Sequence, residues 1–222
     1  IKSVSELCQK YNSFFHSDAV QAVGHYQIDL KSLKIDFLSS AGHKFHGPKG
    51  VGFTYINKST KIKSFICGGP QERGLRAGTE SVHNIVGMTK ALEIANKNMD
   101  KETNYVSTIK KYMIENLIGL FPNIHFNGES GDMTNSTYTV LNVCFPISND
   151  KAAMLDFQLD LKGIACSKGS ACQSGSSEGS HVLSEIQNDL HKKLPSVRFS
   201  FSHNNNKEEV DYLIETLKEF IN

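Results

Sequence analysis

The sequence predicts an α/β fold with a largely parallel sheet, followed by a second, smaller unit. Short apolar stretches with strand character are interleaved with helical patterns. One of those stretches gives way to the turn residues Gly47-Pro48-Lys49-Gly50 instead of running on. A mostly polar run at residues 96–104 then interrupts an apolar helical face, and it is the expected boundary between residues 1–98 and 99–222.

Ser3-Val4-Ser5-Glu6 has the spacing of a capping box and predicts a short helix through residue 10. Strands are predicted over residues 13–18, 36–41 and 51–56. From residue 81 to about 120 the pattern is helical: Val82, Ile85, Val86, Ala91, Leu92 and Ile94 form one apolar face, and Tyr105, Ile109, Met113 and Leu117 resume one. Strands near 124–127 and 139–145, a helix over 150–161 and a strand at 197–201 complete the middle of the chain. The last helix, residues 207–221, carries Val210, Leu213, Ile214, Leu217 and Ile221 at helical spacing. Residues 167–180 are rich in serine and glycine, have no periodicity and are expected to form a mobile loop.

Composition narrows the function. The 222 residues are 39% hydrophobic and 21% charged, enough for a real core. With 24 basic and 23 acidic residues the net charge is +1, which is not the footprint of a nucleic-acid binder. No run reaches the roughly 18 apolar residues of a membrane span. Ile1-Lys2-Ser3-Val4 resembles no targeting peptide, and the absence of an initial methionine suggests a processed or partial chain. Five cysteines, Cys8, Cys67, Cys144, Cys166 and Cys172, are scattered and odd in number, which favours a reducing, cytoplasmic setting over a disulfide framework. Their spacing fits no common zinc pattern, so no metal is expected.

Five stretches carry chemistry. Ser39-Ser40-Ala41-Gly42-His43-Lys44-Phe45-His46 places a lysine just past a predicted strand, where ligands of α/β sheets collect. A lysine there can condense with an aldehyde, although an isolated His-Lys pair is more often a surface turn. Phe15-His16-Ser17-Asp18-Ala19-Val20-Gln21 puts an acid after an apolar strand, which alone reads equally as a helix N-cap. Cys166-Ser167-Lys168-Gly169-Ser170-Ala171-Cys172 offers a thiol among small residues, a flexible linker or the seat of a mobile nucleophile. Val197-Arg198-Phe199-Ser200 is a strand with one arginine, able to hold a carboxylate bidentately or to sit on the surface. Gly68-Gly69-Pro70-Gln71-Glu72-Arg73-Gly74, continuing through Arg76 and Gly78 to Thr79, is a loop whose amides and guanidinium groups suit a phosphate.

Together these five motifs closely resemble NifS/IscS-type (group I) cysteine desulfurases, a similarity that runs over about residues 8–220. Those enzymes lie in the class V aminotransferase group of fold-type-I enzymes that use pyridoxal 5′-phosphate (PLP). The resemblance implies the latter part of a large PLP-binding domain with a mainly parallel sheet, then a small α+β C-terminal domain. It implies that Lys44 holds the cofactor, Asp18 faces the pyridine nitrogen, Gln21 the ring hydroxyl, and His43 the phosphate. Ala41 stands where the family has a phosphate-binding serine; Ser39 shares its face in an extended strand and is the substitute expected here. Thr79 is implied to reach the phosphate of a neighbouring subunit, hence a homodimer, and Arg198 to bind the carboxylate of L-cysteine. Cys172 is implied to accept sulfur as a persulfide for an iron–sulfur scaffold or other acceptor, with Cys166 structural. The chain resembles the C-terminal part of such an enzyme, so the segment by itself is expected to have little activity. The alternatives are another class V enzyme, such as a selenocysteine lyase or aminotransferase, and an inactive truncated fragment.

Overall fold

A computed structural model describes residues 1–168 and 180–221, except for the side chains at positions 149, 150 and 168. The chain divides into two compact units, Ile1–Met99 and Asp100–Asn222.

The first unit holds a three-stranded sheet in the order β1 (His16–Asp18), β2 (Phe37–Ala41), β3 (Gly52–Ile56). Strands β1 and β2 are parallel, with His16 opposite Phe37 and Asp18 opposite Ser39. Strands β2 and β3 are antiparallel, Ala41 opposite Gly52. The parallel character expected of this sheet is therefore carried by β1 and β2 alone, and the reason is connection length. Residues 19–36 can cross over from β1 to β2, whereas residues 42–51 make only a tight return. Along β2, Leu38 and Ser40 are buried while Phe37, Ser39 and Ala41 are partly exposed, the alternation of a strand with one core face. Phe15, Ile35, Leu38, Phe45, Met88 and Ala95 belong to the core of this unit.

Helix α1 (Lys2–Lys10) begins one residue before Ser3, has Ile1 as its N-cap and has no side-chain cap. The capping box is thus not formed. Ser5, between the two residues of that pattern, is buried, donating through Oγ to the Lys34 carbonyl at 3.0 Å and accepting from the Lys34 N–H at 3.1 Å.

Helix α2 (Val82–Leu120) is continuous, so the polar run at 96–104 is helical and the division between units falls within it. Met88 and Ala95 enter the first core, and Ile109, Met113, Ile114 and Leu117 enter the second.

The second unit has a four-stranded antiparallel sheet: β4 (His125–Phe126), β5 (Val140–Cys144), β7 (Ser196–Ser200) and β6 (Ser167–Lys168), in that order. The helix expected over 150–161 is two, α3 (Asn149–Ala152) and α4 (Leu155–Leu161). Helix α5 (His181–Ile186) starts at Ser180, whose Oγ accepts from the Leu183 N–H. Helix α6 (Lys207–Ile221) buries Val210, Leu213, Ile214 and Leu217 against Leu141, Val143, Val197 and the rest of one core. Lys110 is also buried, its Nζ donating to Ser136 Oγ at 2.7 Å and the Thr137 carbonyl at 2.8 Å. Burial lowers its pKa, with the Asp132 carboxylate opposing.

Two thiols belong to this unit's packing. Cys144 is buried and Cys166 half-buried. Burial pushes both thiol pKa values up, and the carboxylates of Asp156 and Asp160 push Cys166 further. Neither is poised as a thiolate.

Two measurements check this packing. Leu141 is fully buried, so Leu141→Ala should cost about 2–5 kcal/mol, read as a lower urea midpoint for the second unit. Iodoacetamide at neutral pH should modify the exposed Cys67 well before Cys144 or Cys166.

Candidate active site

The carboxyl ends of β1 and β2 lie side by side because the two strands are parallel and in register. Asp18 is the last residue of β1 and is exposed. Its Oδ1 accepts from the Val20 N–H at 3.0 Å, so it closes a turn over the next residues. The helix N-cap reading of Asp18 is replaced by this turn, since the chain continues without a helix. Gln21 lies in the turn and is exposed.

Ala41 ends β2, and the chain passes directly into a 3₁₀ turn, Gly42–Phe45. Phe45 is buried and anchors that turn, while Lys44 is half-buried and His43 exposed. His46 takes a left-handed conformation, φ 65°, and the Gly47 N–H returns to the Gly42 carbonyl at 2.9 Å. A Cβ on Gly47 would lie 2.9 Å from that same carbonyl oxygen, so a residue without one is required for the chain to double back.

Asp18 and Ser39 are paired residues of adjacent parallel strands and project from one face of the sheet. Ser39 Oγ lies 2.9 Å from His16 Nε2, so the hydroxyl expected to substitute at the phosphate is shared with an imidazole. Ser40 is on the opposite, buried face, and its Oγ has no hydrogen-bond partner among the described residues.

The glycine-rich loop is closed on itself. Gln71 Oε1 accepts from the Gly78 N–H at 3.1 Å, and Arg76 Nη1 donates to the Ala77 and Gly78 carbonyls. Glu72 and Arg73 are both left-handed, with φ 48° and 58°, ahead of Gly74. Thr79 comes just after the loop and is exposed.

In the second unit, Arg198 lies on β7 between Asn142 of β5 and Ser167 of β6. Its neighbours Val197 and Phe199 face the core, which turns Arg198 to the other face of the sheet. Its Nη2 donates to Ser167 Oγ at 3.4 Å, while its Nε is buried without a partner among the described residues. Cys172, with most of the loop expected over 167–180, lies outside the described residues. Beside Arg198 runs a polar network that the linear sequence did not signal. Asn127 Nδ2 donates to Asn142 Oδ1 at 2.8 Å, and Gln187 Nε2 to Asn127 Oδ1 at 2.7 Å and Ser196 Oγ at 3.1 Å. Isolated polar residues far apart in the chain were its only trace.

Of the residues expected at the site, Asp18, Gln21, Ser39, His43 and Lys44 gather about one edge of one sheet. Thr79 belongs to the same unit and Arg198 to the other. Among the described residues no group of three or more His, Cys, Asp or Glu side chains could hold a metal ion. Nor is any described helix long and apolar enough to cross a membrane.

The model of the class-V aminotransferase family matches residues 1–213. A cysteine desulfurase IscS from Clostridium botulinum is 42% identical over 221 residues, covering 100% of this chain and 55% of the relative. A solved NifS-like protein superposes with a TM-score of 0.82 at 34% identity, over 98% of this chain and 55% of that one. The structure of SspA in complex with cysteine has a TM-score of 0.70 and 29% identity, over 90% of this chain and 54% of that one. The chain thus spans about half the length of the relatives it matches. With a family model matched along nearly its whole length and the fold of PLP-dependent, fold-type-I enzymes, the chain belongs to the class-V aminotransferase family.

Proposed function

We propose that the intact protein is a PLP-dependent cysteine desulfurase, converting L-cysteine to L-alanine and keeping the sulfur as a persulfide on Cys172. The observation that carries this reading is the parallel pairing of β1 and β2, which sets Asp18 opposite Ser39 and brings the turn bearing Lys44 out at the same end of the sheet. The family depends on PLP, and the residues present suit it. A half-buried amine, an exposed acid on the neighbouring strand, and the hydroxyl and imidazole of Ser39 and His43 match an aldehyde, a pyridine nitrogen and a phosphate. When bound, PLP supplies an electron sink for the pair left behind by a substrate Cα proton.

The chain's own groups divide the remaining work. Lys44 would hold the cofactor, and its amine is the group that would carry the substrate Cα proton. Asp18 would keep the ring nitrogen protonated, and Gln21 would face the ring hydroxyl. Ser39 and His43 would receive the phosphate, joined by Thr79 from the second subunit of a homodimer. Arg198 pairs with the substrate carboxylate, a role supported by its buried Nε, which has no partner among the described residues. Cys172, as thiolate, attacks the substrate sulfur: an S–S bond forms, the C–S bond breaks, and the carbon takes a proton to leave as alanine. Thiol plus cysteine gives persulfide plus alanine, so no outside oxidant is consumed.

The cysteine bound in the SspA structure supports the substrate. The IscS name of the relatives supports an iron–sulfur scaffold, or another acceptor protein, as the destination of the sulfur. The free thiols Cys8, Cys67, Cys144 and Cys166 suit a reducing, cytoplasmic setting.

In the intact protein, Cys172→Ser should abolish persulfide, tracked by the mass of the chain after incubation with cysteine, and should leave the visible absorbance of bound PLP unchanged. Lys44→Ala should remove both signals. Persulfide accumulating on Cys172→Ser, or selenocysteine being consumed in strong preference to cysteine, would rule the assignment out.

A further inference from the structure

We propose that His25 is a positioning residue for Lys44, tying the lysine turn to the segment that begins at Asp18. The inference rests on Lys44 being the PLP-bearing lysine. His25 Nε2 lies 2.9 Å from the Lys44 carbonyl oxygen and, as donor, satisfies it from outside the turn. The turn's own amides go elsewhere: the N–H groups of His46 and Gly47 both point to the Gly42 carbonyl. Left-handed His46 reverses the chain immediately afterwards, so the Lys44 carbonyl does not enter a continuing helical ladder.

The two segments also touch through packing. Gly24 has φ +83°, and a Cβ there would lie 2.6 Å from Phe45 Cβ. Phe45 in turn is buried among Val23, Met88 and the rest of this core. Residue 25 therefore leaves a glycine pressed against the neighbour of Lys44, and the His25 N–H is itself held by the Ala22 carbonyl at 3.0 Å. The acid and the amine sit at opposite ends of a short path: Asp18, the turn over residues 19–25, the imidazole of His25, and the peptide of Lys44. Cofactor held by both ends requires their separation to be set before it arrives, because ordering them on binding weakens affinity. His25 does not reach the reacting atoms; it fixes the backbone from which the lysine side chain extends.

Met and Gln have similar length, but only Gln offers a side-chain N–H donor. His25→Met and His25→Gln are therefore compared with the parent in the intact protein. The readouts are PLP affinity by absorbance titration, the absorbance maximum of the bound cofactor, and peptide mapping of the borohydride-reduced adduct. Thermal midpoints of the cofactor-free proteins separate folding from positioning. His25→Met should bind PLP about five- to tenfold more weakly with a shifted maximum, and His25→Gln should recover to within about twofold. Parental affinity and spectrum in His25→Met overturn the role, as does an equal loss in both variants. A parent that carries no reduced adduct on Lys44 overturns the underlying assignment of that lysine, a result distinct from either.

Discussion

The parallel pairing of β1 with β2 is the constraint on which the rest of the first unit depends. Parallel strands end at the same edge of a sheet, so the turns leaving them are delivered to one place. Strand β1 leaves through the turn that Asp18 closes, and β2 leaves through the turn that bears Lys44. A slip of one residue in this register would send the Asp18 side chain to the opposite face from Ser39, among the buried neighbours Leu38 and Ser40. The buried residues flanking β1 resist such a slip, because Phe15 and Ala19 would have to leave the core. Core packing on one face thereby specifies chemical geometry on the other.

The second unit solves a similar problem with antiparallel strands. One face of its sheet supplies Leu141, Val143, Val197 and Phe199 to the core. The reverse face carries Arg198 with Asn142 and Ser167 to either side. Asn127, Ser196 and Gln187 form a connected set of side-chain hydrogen bonds there, of the kind that stiffens a polar surface when its members are satisfied. The arginine differs from that set: one nitrogen leans on Ser167 and another is withheld from water without a partner among the described residues.

Much of this was legible from residue order, for identifiable reasons. Helix α6 was readable because Val210, Leu213, Ile214 and Leu217 recur at helical spacing and are buried together. The turn after Lys44 was readable because glycine and proline in close order announce one, whereas Asp18, which alone reads equally as a helix N-cap, closes a turn instead. Features set by tertiary partners were not readable. Ser5 sits in a pattern that looks like a cap, yet its hydroxyl serves Lys34 far along the chain. Strand β6 has only Ser167–Lys168, too short for any period, and exists because β7 pairs with it. The strand directions around β2 depended on connection length more than on apolar pattern. Ser39 was placed on the correct face by alternation alone, but its pairing with His16 arises from the register between two strands and has no linear signature.

Lys110 has a consequence beyond packing. Its ammonium is enclosed, held by Ser136 and the Thr137 carbonyl, while other lysines such as Lys90 and Lys111 keep their side chains largely in solvent. A reagent that acylates amines therefore meets a protein in which this amine is hidden until the second unit opens. Reaction at that position records the opening event itself, so the buried lysine serves as a clock for unfolding, with the surface lysines as the internal standard for reagent strength.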